Sequence, residues 1–315
     1  MTKKVYILIM KNDVYKILVT GGDGQLATCI KDKVNRYISK FEFIFKNKNE
    51  LDITNESELN YVLDMHKPSI IINCAAYTNV ERAESGEENI AFAINTDACR
   101  YLANWCLKNK SLLIHVSTDY VFDGRMNIPY KEDDPRVPKN IYGKSKSYGE
   151  DEIIKSGCNH IIIRTSWLYS KYGNNFFKKM ISKILTSNNN EVFGAIDEIG
   201  SPTNATNLAN AIVNICNEYT ESDEKEQLNG VYHYTDDGIA SRYDFLSTMH
   251  EYVKKEFICN SVVKPCYSSI FKTKAKRPKY SVMDNFKIKN TFNSVTTSPW
   301  RESLKDEIKT VFNGF

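Results

Sequence analysis

Several kinds of site are missing from this chain of 315 residues. None of its eight cysteines (Cys29, Cys74, Cys99, Cys106, Cys158, Cys216, Cys259 and Cys266) stands in a Cys-x-x-Cys pair, and no two of its five histidines lie at metal-ligand spacing. A zinc or dithiol centre is therefore not expected, and the thiols read as reduced and mostly buried. Cys99 and Cys106 fall two turns apart on one expected helix, too far to bridge. Long apolar runs are absent as well. The run at 5–10 is too short to span a membrane, and no small-residue cleavage site follows it, so a cytoplasmic protein is expected. It reads as an extra edge strand or an apolar cover over a sheet.

Charge of one sign is also scarce. Forty-two Lys and Arg face 39 Asp and Glu, a net charge of +3, which leaves no long basic face for nucleic acid and no acidic tail. The densest basic run, Lys272-Thr273-Lys274-Ala275-Lys276-Arg277-Pro278-Lys279, reads first as a solvated loop. No internal repeat or low-complexity tract appears. The length allows a substantial core and two domains.

What is present begins at Lys16-Ile17-Leu18-Val19-Thr20, a short apolar strand that runs into Gly21-Gly22-Asp23-Gly24-Gln25-Leu26-Ala27. Gly22-x-Gly24-x-x-Ala27 fits the dinucleotide fingerprint in its Gly/Ala form. One glycine allows the tight turn, the next lets backbone N–H groups reach a pyrophosphate, and the small third residue lets helix and strand approach. Gly21-x-x-Gly24-x-x-Ala27 fits the looser spacing as well. The second strand, Glu42-Phe43-Ile44-Phe45, ends at Lys46-Asn47-Lys48 rather than at an acid. Cations there accommodate a 2′-phosphate, so NADPH is expected, with NADH the alternative. Asp52 and Ile53 are placed to flank the adenine.

Two further strands end in functional residue types. Ile70-Ile71-Ile72-Asn73 runs into the small residues Cys74-Ala75-Ala76 and then Tyr77-Thr78, which lets a cofactor lie close to the backbone. The stretch 87–108 carries Ala91, Ile94, Ala98, Leu102 and Trp105 at helical spacing and reads as core. Leu112-Leu113-Ile114-His115-Val116-Ser117-Thr118-Asp119 ends in two hydroxyls and an acid. His115 alternates with Ile114 and Val116 and reads as a strand-interior residue. Tyr142 and Lys146 follow, four apart in Tyr142-Gly143-Lys144-Ser145-Lys146, so on a helix they share one face. An ammonium near a phenol stabilises the phenolate, and Thr118 beside it can donate to the same carbonyl oxygen. A proline-rich loop at 123–140 links the two segments and is placed to close over a substrate.

These runs, together with Ser117-Thr118-Asp119-Tyr120-Val121-Phe122-Asp123-Gly124, resemble the extended short-chain dehydrogenase/reductase superfamily. Within it, Arg164-Thr165-Ser166-Trp167-Leu168-Tyr169, Tyr172-Gly173-Asn174-Asn175-Phe176, Ile199-Gly200-Ser201-Pro202-Thr203 and Arg277-Pro278-Lys279-Tyr280-Ser281-Val282 are most similar to the dTDP-4-dehydrorhamnose reductases. The similarity runs from about residue 15 to the C-terminus. It implies an oxidoreductase that reduces a C4 ketone on a nucleotide-linked 6-deoxy sugar with NADPH. Thr118, Tyr142 and Lys146 would then be catalytic. Gly21, Gly24, Gln25, Leu26, Lys46, Asp52, Ile53, Ala75, Ala76, Tyr77, Thr78, Tyr142 and Lys146 would hold the cofactor. Thr118, Asp119 and Trp167 would meet the sugar, with Arg277 either a loop charge or a contact to the diphosphate. Ala27 replaces the family's usual glycine, and Cys74 stands among its small residues.

The implied fold is α/β: a Rossmann-type doubly wound parallel sheet with a smaller C-terminal α/β substrate-binding domain. Residues 1–165 read as the dinucleotide domain, with 204–228 returning to it. Residues 166–203 and 229–315 read as mainly substrate-binding. The expected partner is a small nucleotide sugar, with neither nucleic acid nor membrane, and a homodimer is compatible with that. Two other readings stand. One is another nucleotide-sugar reductase or epimerase on the same scaffold. The other is a non-catalytic subunit like the regulatory β subunit of methionine adenosyltransferase, which shares the Ser-Thr-Asp-Tyr-Val-Phe-Asp-Gly run.

Overall fold

The computed structural model describes residues 14–34, 39–186 and 191–312; the apolar run at 5–10 lies outside them. Five strands, β1 (Tyr15–Thr20), β2 (Phe41–Lys46), β3 (Ile70–Asn73), β4 (Leu112–Thr118) and β5 (His160–Thr165), join a sixth, Gly230–His233, in one sheet. The sixth strand stands at one edge, followed by β5, β4, β3, β1 and β2, and every pairing is parallel. This is the doubly wound order, with its reversal between β1 and β3.

The strands are apolar at consecutive positions because helices cover both faces. Ile17, Val19, Ile70, Ile72, Leu112, Ile114, Ile161 and Ile163 all point to one side, against the helices Gln25–Lys31 and Ala205–Glu221. Leu18, Ile71, Leu113 and Ile162 point to the other, against the helices Glu56–His66, Ala98–Asn109 and Ile141–Ser156. A separate cluster gathers Tyr169, Phe177, Phe245, Met249, Trp300 and Leu304 from the helices Phe176–Thr186, Arg242–Glu256 and Trp300–Phe312.

The stretch 87–108 is not one uninterrupted α-helix. Between Glu88–Phe92 and Ala98–Asn109 it widens into a π-helical turn, Ala93–Asp97. The proline-rich loop is anchored at its middle. Tyr130 stacks on Phe122, its N–H donates to the Val282 carbonyl at 2.8 Å, and its carbonyl accepts from the Asp284 N–H at 2.8 Å. All eight cysteines are free thiols, and no helix among the described residues is long and apolar enough to cross a membrane.

Candidate active site

The carboxyl ends of the strands converge on one edge of the sheet, where open α/β sheets bind ligands. A cleft of about 230 Å³ opens there, lined by Gly21 and Gly24, by Lys48, Asp52 and Ile53 beyond β2, and by Ala75 and Ala76 beyond β3. Its glycine turn has no room for a larger residue. Gly21 has φ +63°, and a Cβ on it would come within 2.9 Å of the Ala75 Cα, so this turn requires glycine. The residues present fit the pyrophosphate half of a dinucleotide: small walls, a glycine turn, and a helix beginning directly after it. A larger cavity, about 810 Å³, lies at the opposite edge beside Ser69, Ser111 and Asn159, away from the ends where such sheets work.

The other expected cofactor residues are distributed around this cleft. Gln25 opens the first helix and accepts a hydrogen bond from the Asn175 amide, while Leu26 is buried beneath it. Lys46 accepts the Gly22 N–H on its backbone carbonyl at 2.8 Å, and it is Lys48 whose side chain lines the cleft. The Tyr77 hydroxyl donates to Glu87, and Thr78 is exposed. Asn95, which sequence reading missed, holds this segment. Its Oδ1 accepts the Tyr77 N–H at 2.9 Å, and its Nδ2 donates to the Tyr77 carbonyl and to Ser145 Oγ, both at 3.0 Å. Asn95 sits in the π-helical turn, a feature that residue spacing does not announce.

Thr118, Asp119 and Tyr142 come together at the carboxyl end of β4, on the edge of the sheet that carries the cleft. Thr118 is the last residue of β4, and its hydroxyl donates to Asp119 Oδ1 at 3.1 Å and pairs with the Tyr142 phenol. Tyr142 stands in the first turn of the Ile141–Ser156 helix, which is capped by Asn140 Oδ1 accepting the Gly143 N–H at 2.8 Å. Burial raises the phenol above its ordinary value; the Thr118 hydrogen bond works against this, and Asp119 and Tyr120 add to it. The expected lowering by Lys146 is not found. Lys146 is 1% exposed and turned inward, its Nζ donating to the Val116 carbonyl at 2.7 Å and lying 2.9 Å from His115 Nε2. Sharing a helix face was not enough, because a buried ammonium takes the nearest acceptors.

A second group faces Asp119. Its Oδ2 is buried with no hydrogen-bond partner among the described residues, and burial raises the carboxyl to about 6 against the Ser281 and Thr118 hydroxyls and the Arg242 charge. Trp167 adopts φ +46°, a left-handed conformation that costs a bulky residue about 1–3 kcal/mol. Its indole is clamped. The Arg242 guanidinium lies 3.5 Å from the ring centroid, and a Cβ on Gly200 would meet the ring at 2.7 Å. Arg242, also missed from sequence, is the first residue after the helix cap Ser241, where nothing signals that its side chain reaches back to Trp167. Arg277 pairs with Glu81 at 3.1 Å, and its charge reaches Arg242.

The family model described as RmlD substrate binding domain matches residues 15–312. The chain belongs to the dTDP-4-dehydrorhamnose reductase family. It is 35% identical over 294 residues to a dTDP-4-dehydrorhamnose reductase of Aggregatibacter actinomycetemcomitans, covering 92% of this chain and 97% of that protein. Among solved structures, a dTDP-4-dehydrorhamnose reductase from Clostridium acetobutylicum is 34% identical with a TM-score of 0.85, covering 94% of this chain and 99% of that one. One from Bacillus anthracis, solved in complex with NADP, is 33% identical with a TM-score of 0.84 at the same coverage. Family membership therefore extends over both the glycine-turn cleft and the Trp167 clamp.

Proposed function

We propose that this protein is the reductase of the dTDP-L-rhamnose pathway, converting dTDP-4-dehydro-L-rhamnose and NADPH to dTDP-L-rhamnose and NADP. The observation that carries the reading is the meeting of Thr118, Asp119 and Tyr142 at the carboxyl end of β4, the same edge of the parallel sheet that carries the glycine turn after β1. When bound, NADPH supplies the hydride for C4.

The chain's own groups do the rest. Gly21, Gly24, Gln25 and Leu26 present the turn to the pyrophosphate, Asp52 and Ile53 flank the adenine, and Lys46 and Lys48 supply positive charge for a 2′-phosphate. Ala75, Ala76, Tyr77 and Thr78 line the way to the nicotinamide, and Lys146 binds its ribose. Tyr142 gives its hydroxyl proton to the C4 oxygen, and Thr118 donates a hydrogen bond to that oxygen. A phenol whose pKa is raised holds its proton until an alkoxide, far more basic, develops beside it; reduction needs the donor in that form. The unpartnered Asp119 Oδ2 accepts from a sugar hydroxyl, Trp167 covers the sugar face, and Arg277 turns from Glu81 to the diphosphate.

The division of labour follows the same lines: residues 1–165 and 204–228 serve the dinucleotide, and 166–203 with most of 229–315 serve the sugar. The cluster around Tyr169, Phe245 and Trp300 supports this, while Gly230–His233 belongs with the sheet. The reading includes work in the cytoplasm.

Incubating the purified protein with NADPH and freshly made dTDP-4-dehydro-L-rhamnose, and following cofactor absorbance, tests the proposal. Oxidation with formation of dTDP-L-rhamnose is expected. Turnover confined to another sugar nucleotide would replace it with a different reductase. Inertness toward all of them, with a synthetase co-purifying, would favour the regulatory-subunit reading.

A further inference from the structure

Four polar side chains stand in a row through the apolar centre of the sheet and end on Lys146. Thr20 closes β1, Asn73 closes β3, and His115 lies inside β4; the register pairs Thr20 with Asn73 and Asn73 with His115. Thr20 Oγ1 donates to Asn73 Oδ1 at 2.6 Å, Asn73 Nδ2 lies 3.0 Å from His115 Nδ1, and His115 Nε2 lies 2.9 Å from Lys146 Nζ. The four residues are 0–1% exposed. At the far end, Thr20 Oγ1 accepts from the Ala75 N–H at 3.3 Å, and the next residue is Gly21. The row therefore runs from the glycine turn to the lysine.

Its protons can be arranged in two ways. A lysine ammonium only donates, so facing it His115 Nε2 must accept, and the ring proton then sits on Nδ1. That proton needs the Asn73 carbonyl, so the amide turns over from the orientation in which Thr20 donates to Oδ1, bringing Oδ1 to the ring and its N–H₂ to Thr20 Oγ1. With a neutral Lys146 the order reverses: the Asn73 amide donates to Nδ1, and the Nε2 proton points at Nζ. The imidazole is neutral in both, since burial and the neighbouring lysine hold its pKa well below the ordinary value. A mixed arrangement leaves two donors or two acceptors face to face in a dry interior, which is costly.

The other titratable groups near Lys146 are Cys74 beyond β3, Cys99 on the Ala98–Asn109 helix, and Glu150 one turn further along its own helix. Burial keeps both thiols protonated, and Glu150 is engaged by Arg164, Arg136 and Ser117. Cys99 Sγ also stands 3.8 and 3.9 Å from the two ring nitrogens of His115. His115 and the Val116 carbonyl thus remain as the groups that can accept from the ammonium.

We infer that His115 is a positioning residue for Lys146: it holds the ammonium at the end of β4 and, through Asn73 and Thr20, ties its protonation to the glycine turn. This rests on the reading of Lys146 as the lysine that binds the cofactor ribose. Because the acceptor favours the charged lysine, removing it lowers the pH at which the charge is lost.

The test uses the full chain and NADPH alone, its binding followed by fluorescence from mildly acidic to alkaline pH. In the wild type, affinity should drop at the alkaline end, and Lys146→Met should abolish that step. His115→Phe, which fills the ring's space without an acceptor, should move the step down by about one pH unit. His115→Gln, which keeps a neutral acceptor, should restore it. A folded His115→Phe protein with an unmoved step overturns the inference, as does a His115→Gln protein displaced as far as His115→Phe. Nitrogen NMR of the wild-type ring needs no variant: the proton should sit on Nδ1 below the step and on Nε2 above it, and a tautomer constant through the step also overturns the inference. If Lys146→Met keeps the step, the assignment of Lys146 falls and the inference with it; if only His115→Phe keeps it, the inference falls alone.

Discussion

The side of the site proposed for the dinucleotide and the side proposed for the sugar are built differently. The first comes from consecutive strand–turn–helix units, each delivering its residues at a strand's carboxyl end: Gly21 after β1, Lys48 and Asp52 after β2, Ala75 after β3. The second is assembled from segments far apart in sequence, with Asp119 after β4, Trp167 after β5, Gly200 in a two-residue strand, Arg242 at a helix start, and Ser281 on a segment anchored by Tyr130. Regular strand–turn–helix backbone builds the first. The other side holds a strained tryptophan between the Arg242 guanidinium and the Gly200 backbone, so its geometry depends on neighbours and should be the more fragile of the two.

The sharpest challenge to that contrast lies where the two sides meet. Tyr142→Phe removes the proton donor and leaves the cleft walls untouched, so turnover should fall by about 10²–10⁴ while NADPH affinity stays within about twofold. Steady-state rates and fluorescence titration read the two quantities. Near-normal turnover would remove Tyr142 from its role.

Asp119→Asn comes next. Replacing a buried charged acceptor should weaken sugar binding by about 10- to 100-fold, with NADPH binding unchanged. The same residue should make sugar binding pH-dependent. Its carboxyl is raised to about 6 in the folded chain, so the negative charge of the acceptor is lost as pH falls through that value, and the sugar KM should climb there in the wild type. For stability the sign is opposite. A carboxyl that binds its proton more tightly folded than unfolded destabilises the fold above about pH 6, and the penalty fades toward pH 4. Asp119→Asn should therefore melt higher than wild type at pH 8, by at most about 3 kcal/mol of stability, and show little difference near pH 4. Asp236, also raised to about 6, carries the same sign in both proteins and cancels in the comparison.

Gly200→Ala and Arg242→Met attack two contacts of the indole. The added methyl must displace the ring, since its Cβ would sit 2.7–3.0 Å from the indole atoms, and the sugar KM should rise about tenfold. Loss of the guanidinium removes a stacking contact of about 0.5–2 kcal/mol, a several-fold effect. The double variant should fall short of the product of the two, because one displaced ring cannot be displaced again. Independent effects, or an effect on NADPH, would break the division between the sides.

The same division explains what sequence made legible. The strands β1 to β4 and the glycine turn follow from apolar period and turn residues, which act locally. Arg242 and Asn95 were not legible, because each works through a side chain that crosses to another element. Lys146 was seen as chemistry and His115 as core. Both assignments followed the pattern, but the contact joining them depends on how a helix sits over a strand, and no spacing encodes that. The anchoring of the 123–140 loop escaped for the same reason, since Tyr130 finds its partners at Val282 and Asp284, some 150 residues away.

The smallest effect separates two lysines that sequence left together. Lys46 closes β2 and spends its backbone carbonyl on the Gly22 N–H, whereas the Lys48 side chain lines the cleft beside Asp52. An exposed cation beside a phosphate in high-dielectric surroundings contributes little, about 0.2–1 kcal/mol. Lys48→Ala should therefore weaken NADPH about two- to fivefold while leaving NADH unchanged, and the difference should shrink as salt is added. Lys46→Ala should do less. If the larger loss follows Lys46 instead, then its side chain swings across the turn to meet the 2′-phosphate, and even the regular side of the cleft would owe part of its selectivity to a movement rather than to the strand ends alone.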